Sequence, residues 1–315
     1  MSLTSRQSDD QAVFGPVPSR RLGLSLGVDL LWPKTCTLDC VYCECGPTTQ
    51  KTTQRGRFRP AEDVLAQVRK RLEQLDVPPD HITLAGSGEP TLHLDLGLVL
   101  RRLREMNAGR VAVLTNGTLC FDERVRDELC QAEVVVPSLD AVSQRAFQQV
   151  NRPAKGLSAA AMIEGLKLLR RQFKGQFILE ILLVEGLNDT PGELAGLMAA
   201  AKAIGPDAVQ LNTIVRPPAV AGFRPVDDQR LADIAAAFDP PAQVIAPPRA
   251  RAVGDHGHLA RQAVEMTRRR PCTIEDIAAA LGLAGDAAAD LVASLRAAGL
   301  MGLERHDGRE YYRGV

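Results

Sequence analysis

Three cysteines, Cys36, Cys40 and Cys43, lie within eight residues, and an aromatic residue, Tyr42, directly precedes the third. Thiolate is the ligand that iron–sulfur clusters select. Three thiolates from one short loop can hold three irons of a four-iron cluster, which leaves the fourth iron open to a small molecule. The spacing therefore predicts an iron–sulfur centre with one open coordination position.

The residues alone leave other arrangements open. A zinc site usually pairs two CxxC elements or adds histidines at ligand spacing, and the chain has no second CxxC and no HxxxH. A closed cluster that serves only electron transfer would need Cys45 as its fourth ligand. A disulfide is disfavoured because the seven cysteines are an odd number and no secretory leader is recognised.

The elements that must position the cysteines alternate along the chain between apolar and amphipathic segments. The predicted strands are residues 25–31, 82–85, 111–114, 134–137, 177–184 and 208–213. The predicted helices are residues 60–75, 94–107, 121–131 and 157–173, and a further helix that opens with the capping box Thr190-Pro191-Gly192-Glu193. Such alternation indicates parallel βα units, in a doubly wound sheet or in a complete or partial barrel. Residues 14–23, rich in Gly and Pro, are predicted to form an ordered loop.

Polar and glycine-rich residues follow each predicted strand. After the cysteine loop come Gly86-Ser87-Gly88-Glu89-Pro90, then Asn116, Ser138, Asp140 and Asn212. Each could be an ordinary turn. However, ligands collect at the carboxyl ends of parallel strands, so polar groups on the same rim as the cysteines predict a cofactor site.

The three cysteines with Tyr42 resemble the CxxxCx(aromatic)C signature of the radical S-adenosylmethionine (SAM) superfamily, and residues 86–90 resemble its GGEP-like motif. The resemblance covers about residues 14–216. It implies an α/β fold with a partial (βα)6 TIM-like barrel, a [4Fe–4S] cluster on Cys36, Cys40 and Cys43, and SAM on the open iron. It also implies reductive cleavage of SAM to a 5′-deoxyadenosyl radical that abstracts hydrogen from a substrate.

The resemblance assigns further roles. The turn after the second strand would hold the SAM amino group, Tyr42 would lie against the adenine, and later polar residues would reach the ribose, the carboxylate or the adenine. The residues so implied are Tyr42, Gly86, Ser87, Gly88, Glu89, Pro90, Asn116, Ser138, Asp140 and Asn212. The implied partner is an electron donor such as ferredoxin or flavodoxin. The segment most resembles the group that includes wyosine-type tRNA-modifying enzymes, although no cysteine precedes Cys36 to hold their second cluster.

Composition limits the partners. The 315 residues are 45% hydrophobic and 24% charged, enough for a substantial core. Lys plus Arg and Asp plus Glu each number 38, which gives no overall case for a nucleic-acid or membrane partner. No run of 18 apolar residues is present. With free cysteines and no export signal, we expect a cytoplasmic protein.

One local group of cations stands out. Lys51, Arg55, Arg57 and Arg59 occur within nine residues that contain no acid. The segment is either a solvated loop or, with Arg216, a clamp for a phosphate or a nucleic-acid backbone. The candidate substrates are accordingly an RNA base such as one in tRNA, a peptide, or a small anionic molecule.

The pattern changes near the C-terminus. We predict a core at residues 1–245 with a mobile tail at 1–12, a linker at 246–255, and a small α+β module at 256–315. Helices at 256–270, 273–282 and 286–298 and a hairpin at 301–312 resemble a winged helix. The presumed recognition helix, 286–298, has two acids and one arginine, so sequence-specific DNA binding is not expected.

Two classes of function follow. The first is a radical SAM enzyme with an unidentified substrate. The alternative is an iron–sulfur electron carrier or cluster-dependent regulator that uses the C-terminal module to contact a partner or nucleic acid. Formation of 5′-deoxyadenosine would distinguish them.

Overall fold

The computed structural model describes residues 11–245 and 259–315, and its main element is an eight-stranded sheet. The strands of this sheet are β1 (Val13–Ser19), β2 (Gly23–Val28), β5 (His81–Leu84), β6 (Arg110–Thr115), β7 (Val134–Pro137), β8 (Gln176–Leu183), β9 (Ala208–Thr213) and β10 (Gln243–Val244). The short strands β3 (Thr35–Cys36) and β4 (Gln50–Lys51) pair with each other. The core helices are α1 (Ala61–Leu72), α2 (Leu96–Met106), α3 (Glu123–Leu129), α4 (Gln144–Val150), α5 (Ala159–Gln172), α6 (Pro191–Ile204) and α7 (Asp228–Ala236), with a 3-10 turn at Pro90–Leu92.

The order of the strands decides the architecture. From β2 to β9 all neighbours are parallel, and their order in the sheet is their order in the chain. In a doubly wound sheet the strand order would reverse at a switch point. The described sheet has open edges at β1 and β10. The predicted α/β fold with a partial (βα)6 barrel is therefore confirmed.

Alternate residues of the strands build two apolar layers. Val135 and Leu179 belong to the large core between the sheet and its helices. Val136 and Ile178, on the other face of the same strands, pack with Leu22 inside the barrel. The period of two along a strand therefore separates an outer core from a filled part of the interior.

The core differs from the sequence predictions in three respects. The segment predicted as a loop at 14–23 contains β1, an antiparallel edge strand in which Pro16 and Pro18 are tolerated because few of its N–H groups are needed. Helices α4 and α7 were not predicted, although Ser143 and Asp227 cap them. The capping box at Thr190 does not form, because the Glu193 carboxylate instead accepts hydrogen bonds from the backbone before α4.

The C-terminal module contains the predicted three helices and hairpin. They are α8 (Leu259–Arg269), α9 (Ile274–Leu281), α10 (Gly285–Ala297), β11 (Met301–His306) and β12 (Arg309–Gly314). The module has its own apolar cluster. The predicted linker and most of the predicted mobile tail lie outside the described residues, and the winged-helix assignment stays a prediction. Among the described helices, none alone is long and apolar enough to cross a membrane. Helices α9 and α10 together reach the required length and apolar composition, but they are bent by 110° where they meet.

The module contacts both sides of the barrel opening. On one side the Arg269 guanidinium lies 4.1 Å from the ring of Phe14 in β1. On the other side Tyr311 donates a hydrogen bond to the Val215 carbonyl, just after β9, at 2.8 Å. The module therefore lies across the gap that the open sheet leaves.

Candidate active site

The cysteine loop follows β2 at the carboxyl end of the parallel strands. Its backbone is bound by the segment at the end of α4: Asp39 N donates to Asn151 O at 3.0 Å, and Val41 N donates to Val150 O at 2.9 Å. Cys36 lies in β3, whose pairing with β4 holds the start of the loop. A helix that the sequence analysis did not predict thus positions the backbone on both sides of Cys40.

Each of the three sulfurs has a nitrogen donor from a different segment. Asn116 Nδ2 lies 3.5 Å from Cys36 Sγ, and Asn151 Nδ2 lies 3.4 Å from Cys40 Sγ. Lys34 Nζ lies 3.2 Å from Cys43 Sγ. Such donors stabilise a thiolate and orient it toward a metal.

The thiols differ in how readily they ionise. Burial raises the pKa of Cys36 to about 12 and raises the pKa of Cys40 well above its usual range. A hydrogen bond from the Cys45 thiol, assisted by Lys34, lowers the pKa of Cys43 to about 6 despite burial. The charge of a bound metal centre favours the thiolate at all three positions.

The donor set fits a cluster better than a single ion. Within residues 11–245 and 259–315, no three His, Cys, Asp or Glu side chains converge on one point as a single metal ion requires. The ligands of three different irons in a cluster do not share one point. Three partly buried thiols on one loop suit a four-iron cluster.

The Gly86–Pro90 turn packs tightly on the cysteine loop. A Cβ on Gly88 would overlap the Thr35 carbonyl oxygen, and one on Gly86 would overlap the Asp29 side chain. Ser87 donates to Asp29 Oδ2 through its backbone N at 2.9 Å and its hydroxyl at 2.7 Å. Only glycine at both positions permits this approach.

Glu89 is buried and its carboxylate is fully engaged. It accepts hydrogen bonds from Thr91 Oγ1 at 2.7 Å, from Thr115 Oγ1 at 2.6 Å and from Asn116 N at 2.7 Å. Burial raises the pKa of Glu89, while these donors oppose the shift. In this structure Glu89 joins the turns after β5 and β6; its contact with SAM stays a prediction.

Tyr42 and Asp140 are joined by a hydrogen bond from the Tyr42 hydroxyl to Asp140 Oδ2. Asn151 Nδ2 donates to the same oxygen at 2.7 Å, and Leu182 N donates to Oδ1 at 2.9 Å. Burial raises the pKa of Asp140 to about 6. Asp140 therefore fixes the Tyr42 ring, and its predicted contact with SAM is untested.

A cavity of about 300 Å³ occupies the upper barrel interior and is called the barrel cavity below. Tyr42, Cys43 and Asn212 line it, together with inner-face residues of the strands. Asn212 accepts from Arg20 Nη1 at 3.4 Å and donates to Glu180 at 3.3 Å. Ser138, directly after β7, forms a parallel backbone β-bridge with Glu180 of β8. Of the predicted site residues, Tyr42, Cys43 and Asn212 line the barrel cavity, and the others do not belong to its lining.

A larger cavity of about 1,020 Å³, the junction cavity, lies between the end of β9, α7 and the C-terminal module. It shares Arg20 and Asn212 with the barrel cavity. No sequence pattern reveals this cavity, because its walls bring together residues as far apart in the chain as Arg20 and Tyr312.

The five cations predicted to contact an anion already have partners. Lys51 donates to Arg152 O, Arg57 pairs with Asp95, and Arg59 donates to Leu31 O. The other two form ion pairs, Arg55 with Glu128 and Arg216 with both Glu44 and Asp276. The five cations thus have contacts within the protein, and their role in binding an anion stays a prediction.

Comparisons with known proteins agree with this geometry. The model of the Radical SAM superfamily matches residues 31–198, more than half of the chain. The chain therefore belongs to the radical SAM superfamily. Enzymes of this superfamily use a [4Fe–4S] cluster and SAM, which are accordingly the cofactors of this chain. The alternative of an electron carrier or regulator is not favoured.

Individual proteins share sequence or fold with this chain, and their names do not identify its substrate. The chain is 34% identical to a UPF0026 protein of Methanocaldococcus jannaschii over 72% of this chain and 70% of that protein. It is 36% identical to a GTPase Obg of Brachyspira hyodysenteriae over 68% of this chain, but it spans only 31% of that relative. The crystal structure of a radical SAM methyltransferase from Sphaerobacter thermophilus shares the fold, with a TM-score of 0.54 and 20% identity over 70% of this chain and 65% of that chain.

Proposed function

We propose that this enzyme cleaves SAM at a [4Fe–4S] cluster held by Cys36, Cys40 and Cys43 and abstracts hydrogen from a substrate. The observation that carries the proposal is the set of three thiols on one loop beside the barrel cavity, with a nitrogen donor at each sulfur. When bound, cluster and SAM supply one-electron cleavage of the sulfonium C–S bond to methionine and a 5′-deoxyadenosyl radical.

The chain's own residues position and shield this chemistry. Asn116 and Asn151 orient two of the thiolates, and Asp140 holds Tyr42 at the cavity wall. The Gly86–Pro90 turn presents its backbone beside the cysteine loop. The apolar filling of the lower barrel closes the cavity from below, so water and other hydrogen donors are excluded there.

We place the substrate in the junction cavity, because it adjoins the barrel cavity at Arg20 and Asn212. Its volume suits one nucleotide or a short stretch of peptide. Its lining combines three arginines with four acids, so charge alone does not select an anion; these residues are Arg20, Arg216, Arg309, Asp228, Glu275, Asp276 and Glu310. An RNA base, a peptide and a small anionic molecule all remain candidate substrates.

A partner must supply the electron, and we propose a low-potential donor such as ferredoxin or flavodoxin. A cytoplasmic location would keep such a donor and an oxygen-sensitive cluster in reducing surroundings. Sequence-specific DNA binding is not part of the proposal, because α10 contains two acidic residues and one arginine, whereas a helix that enters a phosphate-lined groove should be basic.

The test is anaerobic reconstitution with iron and sulfide, followed by SAM and dithionite. We expect 5′-deoxyadenosine and methionine to form. Cys36→Ala should abolish the product, whereas Cys130→Ala, at a half-buried cysteine beyond α3, should retain it. A cluster that is reduced by dithionite but leaves SAM intact would refute the proposal and favour an electron carrier or regulator.

A further inference from the structure

Lys34 lies two residues before the first predicted cluster ligand, and its side chain reaches the third. Its Nζ lies 3.2 Å from Cys43 Sγ. The residue has a φ of 62°, in the left-handed region that non-glycine residues rarely adopt. A lysine held in this conformation beside a cluster ligand calls for a physical reason.

Both backbone groups of Lys34 are bound. Its N–H donates to the Ser87 carbonyl at 3.0 Å, and its carbonyl accepts from Thr49 N at 3.1 Å and from Gln50 N at 3.0 Å. The Gly86–Pro90 turn and the strand β4 thus hold the lysine from both sides. These contacts offset the cost of a left-handed conformation at a residue with a side chain.

The ammonium group faces sulfur rather than carboxylate. Its hydrogen bond is to Cys43 Sγ, and Cys36 and Cys45 belong to the same loop. The neighbouring acid Glu44 is instead paired with Arg216 and Arg20. The positive charge of Lys34 therefore acts on the cysteine sulfurs themselves.

We infer that Lys34 sets the reduction potential of the cluster by placing a cation and an N–H donor on Cys43 Sγ. The inference rests on the proposed function, because it requires the cluster on Cys43. Hydrogen bonds to cluster sulfurs and nearby charge tune these potentials. The reduced cluster carries one more electron and gains more from a close cation, so Lys34 raises the potential and eases electron uptake from a one-electron donor protein. Lys34 is thus a positioning residue, not a catalytic one.

The experiment is a redox titration of the reconstituted full-length chain, followed by the electron paramagnetic resonance signal of the reduced cluster. For Lys34→Met we expect the ratio of reduced to oxidised cluster at a fixed potential to fall about tenfold, a shift of about 59 mV for one electron. The Lys34→Arg variant should have a reduction potential close to that of the unmodified chain. The Lys34→Gln variant, which keeps an N–H donor without charge, should have a potential between those of Lys34→Met and the unmodified chain. The matched control Lys155→Met removes an exposed lysine and should leave the potential unchanged.

Each outcome decides the question. An unchanged potential in Lys34→Met, with normal iron content and normal 5′-deoxyadenosine formation in the unmodified chain, would overturn this inference alone. A loss of iron without a shift in the retained clusters would assign Lys34 a structural role and overturn it as well. If the unmodified chain assembled no cluster, the proposed function and this inference would both fail.

Discussion

At the scale of single residues, Asn151 connects the cysteine loop to the rim of the barrel. Its side chain is 2% exposed, and Nδ2 donates to Asp140 at 2.7 Å and lies 3.4 Å from Cys40 Sγ. Its backbone carbonyl accepts from Asp39 N. One amide therefore determines the position of a predicted ligand and of the carboxylate that holds Tyr42.

Asn151→Ala should lower the free energy of unfolding of the cluster-free chain by about 1–3 kcal/mol, because the buried carboxylate of Asp140 loses a donor. It should also reduce the iron bound after reconstitution. Urea unfolding and iron analysis measure the two effects. Gln149→Ala, at an exposed amide on the same helix, should change stability by less than about 0.5 kcal/mol. Equal effects of the two substitutions would contradict this role for Asn151.

At the scale of elements, the close packing of the Gly86–Pro90 turn on the cysteine loop is the decisive contact. Glu89 N donates to Thr35 O at 3.1 Å, one residue before Cys36. Gly88 leaves no room for a side chain at this crossing. The distance between the predicted SAM-binding turn and the predicted cluster ligands is therefore set by backbone contact.

Gly88→Ala should destabilise the chain by about 1–3 kcal/mol, because the added Cβ would overlap the Thr35 carbonyl and force the two loops apart. It should also weaken SAM binding to the reconstituted enzyme, measured by equilibrium titration. Gly192→Ala is the matched control, since a Cβ there meets nothing within 4 Å and the residue lies in the first turn of α6. Gly88→Ala with unchanged stability and unchanged SAM affinity would contradict the packing argument.

At the scale of the whole molecule, ion pairs connect the cysteine loop to the C-terminal module. Glu44 follows Cys43 directly and lies 3.3 Å from Arg216 Nη1, while Arg216 Nη2 lies 3.1 Å from Asp276 in α9. Although burial opposes it, Arg216 and Arg20 lower the pKa of Glu44 to about 2. The Arg216 side chain is only 4% exposed, so solvent screens these pairs little.

A double-mutant cycle on Arg216→Gln and Asp276→Asn should give a coupling energy of about 1–3 kcal/mol in urea unfolding. The exposed pair Arg305 and Glu310 in the hairpin is the reference, and its coupling should be the smaller of the two because solvent screens an exposed pair. Equal coupling in the two pairs would mean that the buried pair does not fasten the module to the core.

The sequence by itself determined the chemistry and most of the core elements. Three cysteines within a span of eight residues and the periods of strands and helices are local properties, so they can be recognised without knowledge of the fold. The tertiary structure decided everything that depends on segments distant in the chain: the sequential strand order that makes a barrel, the edge strand β1, the donors Lys34 and Asn151 at the thiols, and the pairing of Arg216 with Glu44 and Asp276. The contacts that Lys51, Arg55, Arg57, Arg59 and Arg216 make within the protein also depend on the fold, because the acid or carbonyl nearest in space is not the nearest in sequence.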